Sequence, residues 1–293
     1  MAVTIKWKDN SYLEKGHRIY KSSTYFTPDN LPAPLVDLSP NIEEYQDTTS
    51  NAGENWYIVS AYILGYEVFS EPFIPSLTTT LIHDIFGDGS AVATYNFDGD
   101  ITDLGGNYNG TWTGTENYAS GIISQAVYFN SSSIVDLNVP FGGAFMSISV
   151  WLKYDYSSQN EFATLFYTST GTTLNGTSPA IMTDTDGLGI NTGNGDMVGV
   201  STNVLPQNTW FHLYIYFDNN DSNNLIYIDG VSRSTSSQKQ TPGTRSMNTD
   251  NRLRRIGGST DTYFYKGSMD QLRIFNRALT QEEVNDLYQE GQQ

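Results

Sequence analysis

Hydrolysis of a glycosidic bond needs two carboxylates facing each other across a cleft. The acids of this chain do not pair that way: Glu282 and Glu283 are adjacent on a helical pattern, Glu161 stands alone, and Asp184 and Asp186 share a Gly- and Thr-rich turn. They read as turn and cap residues. A nucleophilic triad needs a histidine base, and three are present, His17, His83 and His212. His212 lies in an aromatic strand pattern, Trp210-Phe-His-Leu-Tyr-Ile-Tyr-Phe217, where a hydrogen-bonded structural role is expected. His17 and His83 have no nucleophile signature beside them. With no cysteine there is no disulfide, thiolate metal site or cysteine nucleophile, and no Gly-rich phosphate loop appears. The expectation is a protein that binds rather than catalyses.

Three groups of residues have the chemistry of binding. The loop Asp103-Leu-Gly-Gly-Asn-Tyr-Asn-Gly110 offers carboxylate, amide and turn carbonyl oxygens, the hard ligands that calcium takes; the same Asp103 could instead make an Asx-turn without metal. Tyr154, Tyr156 and Asn160 follow one strand pattern, and Tyr263, Phe264 and Tyr265 form a second aromatic cluster. Exposed rings with amides nearby suit a sugar, whereas buried ones belong to a core or a subunit interface. Arg245, Arg252, Arg254 and Arg255 form the one basic cluster and read as a solvated loop pair.

The elements that must position these groups are strands. The 293 residues suffice for one large domain or two smaller ones, and Gly, Asn, Ser and Thr recur beside 20 Tyr and 14 Phe with no long helical period. A formal net charge of −17 argues against nucleic acid and anionic membranes, whose recognition draws on clustered Lys and Arg. No apolar run approaches the ~18 residues of a membrane helix, and Met1-Ala-Val-Thr-Ile-Lys-Trp-Lys-Asp9 lacks the apolar core of a signal peptide. The chain is therefore expected to start soluble and untargeted. The clearest unit is Gly267 to Tyr288. Alternation from Met269 to Phe275 predicts a half-buried strand that packs Met269, Leu272 and Ile274. Thr280 and Glu283 stand at capping-box spacing, Val284, Leu287 and Tyr288 form one apolar stripe, and Gly291 is placed to end the helix.

Gly-x-Met-Asp-x-Leu-Arg-Ile-Phe-Asn-Arg-Ala-Leu-Thr-x-Glu-Glu-Val resembles the closing motif of laminin G-like domains of the concanavalin-like β-sandwich superfamily. Upstream landmarks agree in order: Ala93 to Asp98, Asp103 to Gly110, Gln125 to Asn130, Phe145 to Leu152, Trp210 to Phe217, and Leu225 to Val231 with its Asp229-Gly230 turn signal. The resemblance implies an all-β jelly-roll sandwich with a short C-terminal helix over residues 91–291. It also implies one structural calcium ion where Asp103 and Asp270 meet, with Asn107 as a further ligand. The superfamily's glucanases carry an alternating Glu-x-Asp-x-x-Glu strand, and none is found here.

Residues 1–78 open with Val3-Thr-Ile-Lys-Trp-Lys-Asp-Asn10, His17-Arg-Ile-Tyr-Lys-Ser22, Glu44 to Thr49 and a long hairpin pattern turning near Gly65. They resemble a fibronectin type III domain whose first strand is missing, so the module is expected to be short by one strand rather than completed by a partner. Residues 79–90 read as a linker that ends in His83-Asp-Ile-Phe-Gly-Asp-Gly-Ser90, a turn expected to clamp the following strand. That phrase between these two modules resembles virion components of tailed bacteriophages. The resemblance implies a tail-adhesion or capsid-decoration protein, made in the host cytoplasm and carried in the virion. Its expected partners are other virion proteins, further copies of itself in a symmetric oligomer such as a trimer, and a host-surface glycan contacted by Tyr154, Tyr156, Asn160, Tyr263 and Tyr265. The alternative is a carbohydrate-binding accessory module of a secreted bacterial enzyme.

Overall fold

The computed structural model describes residues 3–7, 14–49, 55–63, 65–72, 83–155, 162–170, 174–183, 186–193, 195–240, 243–259 and 263–292. The chain divides into two compact units, Met1–Thr80 and Leu81–Gln292. The first holds β1 (Val3–Lys6), β2 (Gly16–Ser22), β3 (Pro34–Leu38), β4 (Glu44–Asp47), β5 (Trp56–Ile63) and β6 (Tyr66–Phe69). Strands β1 and β4 pair as a small sheet, and β3-β2-β5-β6 form a second. Alternation buries Val3 and Ile5 from β1 against Ile19, Tyr57 and Val59 from the larger sheet. Asp47 is buried beneath them, holds Lys21 at 2.9 Å and accepts a hydrogen bond from the Tyr57 hydroxyl at 2.8 Å. The expected hairpin turns at Gly65, whose φ of +86° suits glycine.

The second unit contains β7 (Ala91–Tyr95), β8 (Thr111–Thr113), β9 (Tyr118–Ser120), β10 (Gln125–Asn130), β11 (Ile134–Pro140), β12 (Met146–Tyr154), β13 (Ala163–Tyr167) and β14 (Ala180–Thr183). It continues with β15 (Gly187–Asn191), β16 (Met197–Ser201), β17 (Trp210–Phe217), β18 (Leu225–Ile228), β19 (Val231–Arg233), β20 (Ser236–Lys239), β21 (Arg252–Ile256), β22 (Lys266–Phe275) and α1 (Gln281–Glu290). The order β19-β18-β17-β12-β22-β10-β9, with β7 also on β22, makes one sheet; β20-β16-β15-β14-β13-β21-β11-β8 makes the other. Val127, Ile148, Leu213 and Leu272 of the first meet Val135, Leu165, Leu253 and Ile256 of the second in a shared apolar core. This is the expected all-β sandwich with one short helix.

Strand β22 departs from expectation in one respect. It is buried on both faces, because its polar side, which alternation alone would send to water, lies under α1 and the neighbouring loops. Arg273 and Glu290 are 2% and 5% exposed at their side chains and form a two-pronged ion pair, Nη2 to Oε1 at 2.9 Å and Nη1 to Oε2. Beside them His212 contacts the Ser149 hydroxyl at 2.7 Å, and Trp151 stacks on Tyr288 at 5.7 Å. Burial, reinforced by the Arg273 charge, drops the His212 pKa to about 3, so the ring is neutral. The helix begins at the predicted capping box, with Thr280 N–H donating to Glu283 Oε2 at 2.8 Å and Glu283 N–H to Thr280 Oγ1 at 3.3 Å. It ends at Gly291, where a Cβ would lie 2.4 Å from the Trp151 ring. His83 to Ser90 folds as a turn on this sheet: the Thr94 hydroxyl donates to the His83 carbonyl, and Phe86 packs on Phe275.

Truncating Glu290 to alanine leaves a buried guanidinium without its counter-charge. Glu290→Ala is expected to lower unfolding stability by about 3–5 kcal/mol, with most of the loss recovered when Arg273→Met and Glu290→Met are combined. Urea titration of the three proteins tests this, and a loss below ~1 kcal/mol in Glu290→Ala would refute it.

Candidate functional site

The residues expected to hold calcium are each engaged by backbone N–H groups. Asp103 is 1% exposed; its Oδ1 accepts from Thr94 and Gly105 at 2.9 and 3.0 Å, and its Oδ2 from Asn107 and Tyr108 at 3.0 and 3.1 Å. Four donors fill the lone-pair directions of one carboxylate, and positive N–H ends aimed at a point repel a cation there. The Asn107 amide donates to Gly105 O at 3.0 Å, closing the same turn. Asp270 is fully buried and accepts from Ile122 and Ile123 at Oδ2, at 2.9 and 3.2 Å, and from Gln271 at Oδ1. Burial pushes its carboxyl up to about 7; the three N–H bonds oppose the shift and Asp98 adds to it. Among the described residues no group of three or more His, Cys, Asp or Glu gathers. This donor set does not fit a calcium ion; Asp103 organises its loop as an Asx-type turn, and Asp270 ties the β9–β10 connection to β22.

The aromatic expectation divides. Tyr154 and Tyr265 are 3% and 0% exposed, stack on each other at 6.4 Å and hydrogen-bond inward, so neither offers a face to a ligand. They belong to the core. Tyr156 and Asn160 lie outside the described residues. Tyr263 is 45% exposed, has a φ of +58° and stands edge-on to Phe162 at 6.3 Å.

The basic cluster also differs from its reading as a loop pair. Arg245 is buried apart from the others, bonded to Asp221 and Asn224. Arg252, Arg254 and Arg255 stand on β21 itself, within a sheet whose outward face changes character along its width. Toward β14 and β16 that face is apolar, with Tyr167, Ala180, Met182 and Met197 packed under Phe162 and Leu174. The Arg255 guanidinium lies 5.8 Å from the Tyr167 ring and marks the change. Beyond it, across β21, β11 and β8, the face is polar and open, and it forms a cleft of about 310 Å³ lined by Asn109, Thr111, Asp136, Leu137, Asn138, Thr170, Arg254 and Arg255.

The cleft is braced by its own polar groups. Arg255 Nε donates to Asp136 Oδ1 at 2.7 Å, and the Thr113 hydroxyl donates to Asp136 Oδ2 at 2.8 Å. Arg254 reaches across two strands, donating to Thr168 O at 3.0 Å and to Asn138 Oδ1 at 3.0 Å. Asn138 holds a φ of +76° at the register shift between Asp136 and Val139, which turns its amide to Arg254. Such a surface can hold a small polyhydroxylated ligand with hydroxyl, amide and guanidinium groups. Among the described residues of its lining Asp136 is the one carboxylate, and both of its oxygens are committed. The alternation in Ile134-Val-Asp-Leu-Asn-Val139 and the Arg-Leu-Arg-Arg run held the signal for this site. Discounting the arginines as loop residues obscured it.

Residues 124–285, more than half of the chain, match the family model of the concanavalin A-like lectin/glucanases superfamily. The chain belongs to this superfamily. Among solved structures it is similar to domain 4 of AbnA, an extracellular arabinanase from Geobacillus stearothermophilus, in complex with arabinotriose. The two are 26% identical with a TM-score of 0.53, over 68% of this chain and 98% of that one. The binding domain of Paraclostridial Mosquitocidal Protein 1 matches at 17% identity and a TM-score of 0.45, over 68% of this chain and 52% of the other. The botulinum neurotoxin serotype D binding domain gives 18%, 0.45, 69% and 51%. No curated protein matches the chain.

In this superfamily member the Asp270 proton is held to about pH 7 in the folded state, whereas an unfolded aspartate releases it near pH 4. The folded state therefore binds the extra proton between those values, and stability falls as pH rises through them. Urea unfolding should show wild type losing roughly 2–3 kcal/mol more than Asp270→Asn between pH 5 and pH 8. The wild-type midpoint should be the same in calcium and in chelator. Parallel pH slopes, or a clear rise with calcium, would refute the assignment of Asp270 as a buried, metal-free carboxyl.

Proposed function

We propose that the second unit is a non-catalytic carbohydrate-recognition domain and that the cleft on β21, β11 and β8 is where it holds sugar. The observation that carries this reading is the half-covered sheet face: the apolar half is capped, and the open half presents fixed polar groups around a cleft whose described lining holds one carboxylate, Asp136, paired with Arg255. The similarity to an arabinanase domain solved with arabinotriose, spanning nearly all of that domain, supports the same ligand class. Catalysis by paired carboxylates has no counterpart among the described residues of the cleft lining.

For its setting we propose a virion component of a tailed bacteriophage, in which a fibronectin type III-like first module attaches to other virion proteins and the lectin-like domain, in several symmetric copies, meets a host-surface glycan. The resemblance of the Asp84-Ile-Phe-Gly-Asp-Gly-Ser90 segment and the module order support it. A second reading, an accessory module of a secreted bacterial enzyme, is favoured by the arabinanase similarity.

Thr170 is exposed at the cleft mouth, so Thr170→Trp should fill the space without disturbing the fold. Binding to a panel of neutral and acidic oligosaccharides, arabinotriose included, is expected to weaken at least ~10-fold with an unchanged melting midpoint. Unaltered binding would move the site elsewhere, and a wild type that binds no member of the panel would remove the carbohydrate reading. Antibody labelling of purified particles decides the setting: label on tail or shell supports the virion, and its absence there defeats it.

A further inference from the structure

Positive charge is scarce in this chain, with 15 Lys and Arg against 32 Asp and Glu, yet three arginines occupy one five-residue strand. Arg254 is held by neutral oxygens, the Thr168 carbonyl and the Asn138 amide. Arg252 likewise donates to a carbonyl, that of Asn138. Arg255 spends its Nε on Asp136, while its Nη1 is buried with no hydrogen-bond partner among the described residues. Both Asp136 oxygens are already taken, so the carboxylate offsets one guanidinium and leaves the cleft with surplus positive charge. Burial first, then the charges of Arg252 and Arg255, lower the Arg254 pKa from its ordinary value.

Among the described residues no aromatic ring lines this cleft. Stacking on a sugar face, the usual neutral source of affinity, is therefore missing, and direction and charge must supply it. A guanidinium presents two parallel donors that match a carboxylate. Asn109 and Thr170 stand in the same lining for hydroxyl groups.

We propose that the cleft selects sugars bearing a carboxylate, the hexuronate or nonulosonate class, with Arg254 and Arg255 receiving the acid and the amide and hydroxyl side chains holding the ring. This rests on the carbohydrate-binding reading given above. Neutral sugars would bind weakly at the same place.

The test compares an oligogalacturonate, its methyl ester and a sialyl oligosaccharide against arabinotriose by calorimetry on the full chain. The ester keeps the sugar and removes the charge, so wild-type protein alone gives an answer. At least one acid sugar is expected to bind about 10-fold or more tighter than its neutral counterpart, with an advantage that shrinks with added salt and is lost in Arg254→Gln. Arg254→Lys, which keeps charge without the fork, should recover part of it. Equal binding of acid and ester, or binding of arabinotriose alone, overturns acid selection while leaving carbohydrate binding intact. Inorganic phosphate competing as well as the acid sugar would reduce the cleft to a simple anion site and also overturn it. Absence of binding to every sugar removes both readings.

Discussion

Strand β22 is the constraint around which the second unit is arranged. Along one edge it pairs with β12, and along the other it pairs with β10 through Met269 and with β7 from Leu272 onward. Its apolar residues enter the core between the sheets, while on its polar side Arg273 pairs with Glu290 of α1 and Asp270 accepts from the Ile122 and Ile123 backbone. The buried Arg273–Glu290 pair is the polar half of that arrangement. Such a pair contributes little net energy against an apolar substitute, but either partner alone would be an uncompensated charge, so the two fix where the helix sits.

The opposite sheet is free to specialise because the first carries this framework. Its outward face is divided between an apolar half under Phe162 and Leu174 and a polar half that stays open. The division follows from chemistry at each strand. Met182 and Met197 need cover, whereas Asp136, Asn138 and the β21 arginines hold one another through polar contacts. Side chains held by hydrogen bonds to strands, as Asp136 and Arg254 are, keep a fixed placement.

Much of this was legible in the sequence. The capped helix, the Asp229-Gly230 turn and the period of β22, β12 and β17 are local signals, and each appears where its residues place it. What alternation could not convey was burial from above: nothing near Arg273 in sequence announces the layer that covers it. The same blindness made Tyr154 and Tyr265 look like sugar platforms when they are core rings. Asp103 read as a metal ligand because oxygen-rich turns and calcium loops share composition. The distinction lies in the direction of four N–H groups, which composition does not encode.

The pairing of β7 with β22 has a consequence for synthesis. The first strand of the second unit finds its hydrogen-bonding neighbour only among the last strands to be made, and β12 and β10 wait for the same segment to fill the place between them. While the ribosome is still producing the intervening chain, this sheet has a vacancy at its centre and unpaired edges facing outward. Ordering is deferred until β22 arrives, and the nascent protein is exposed to mispairing for most of its translation.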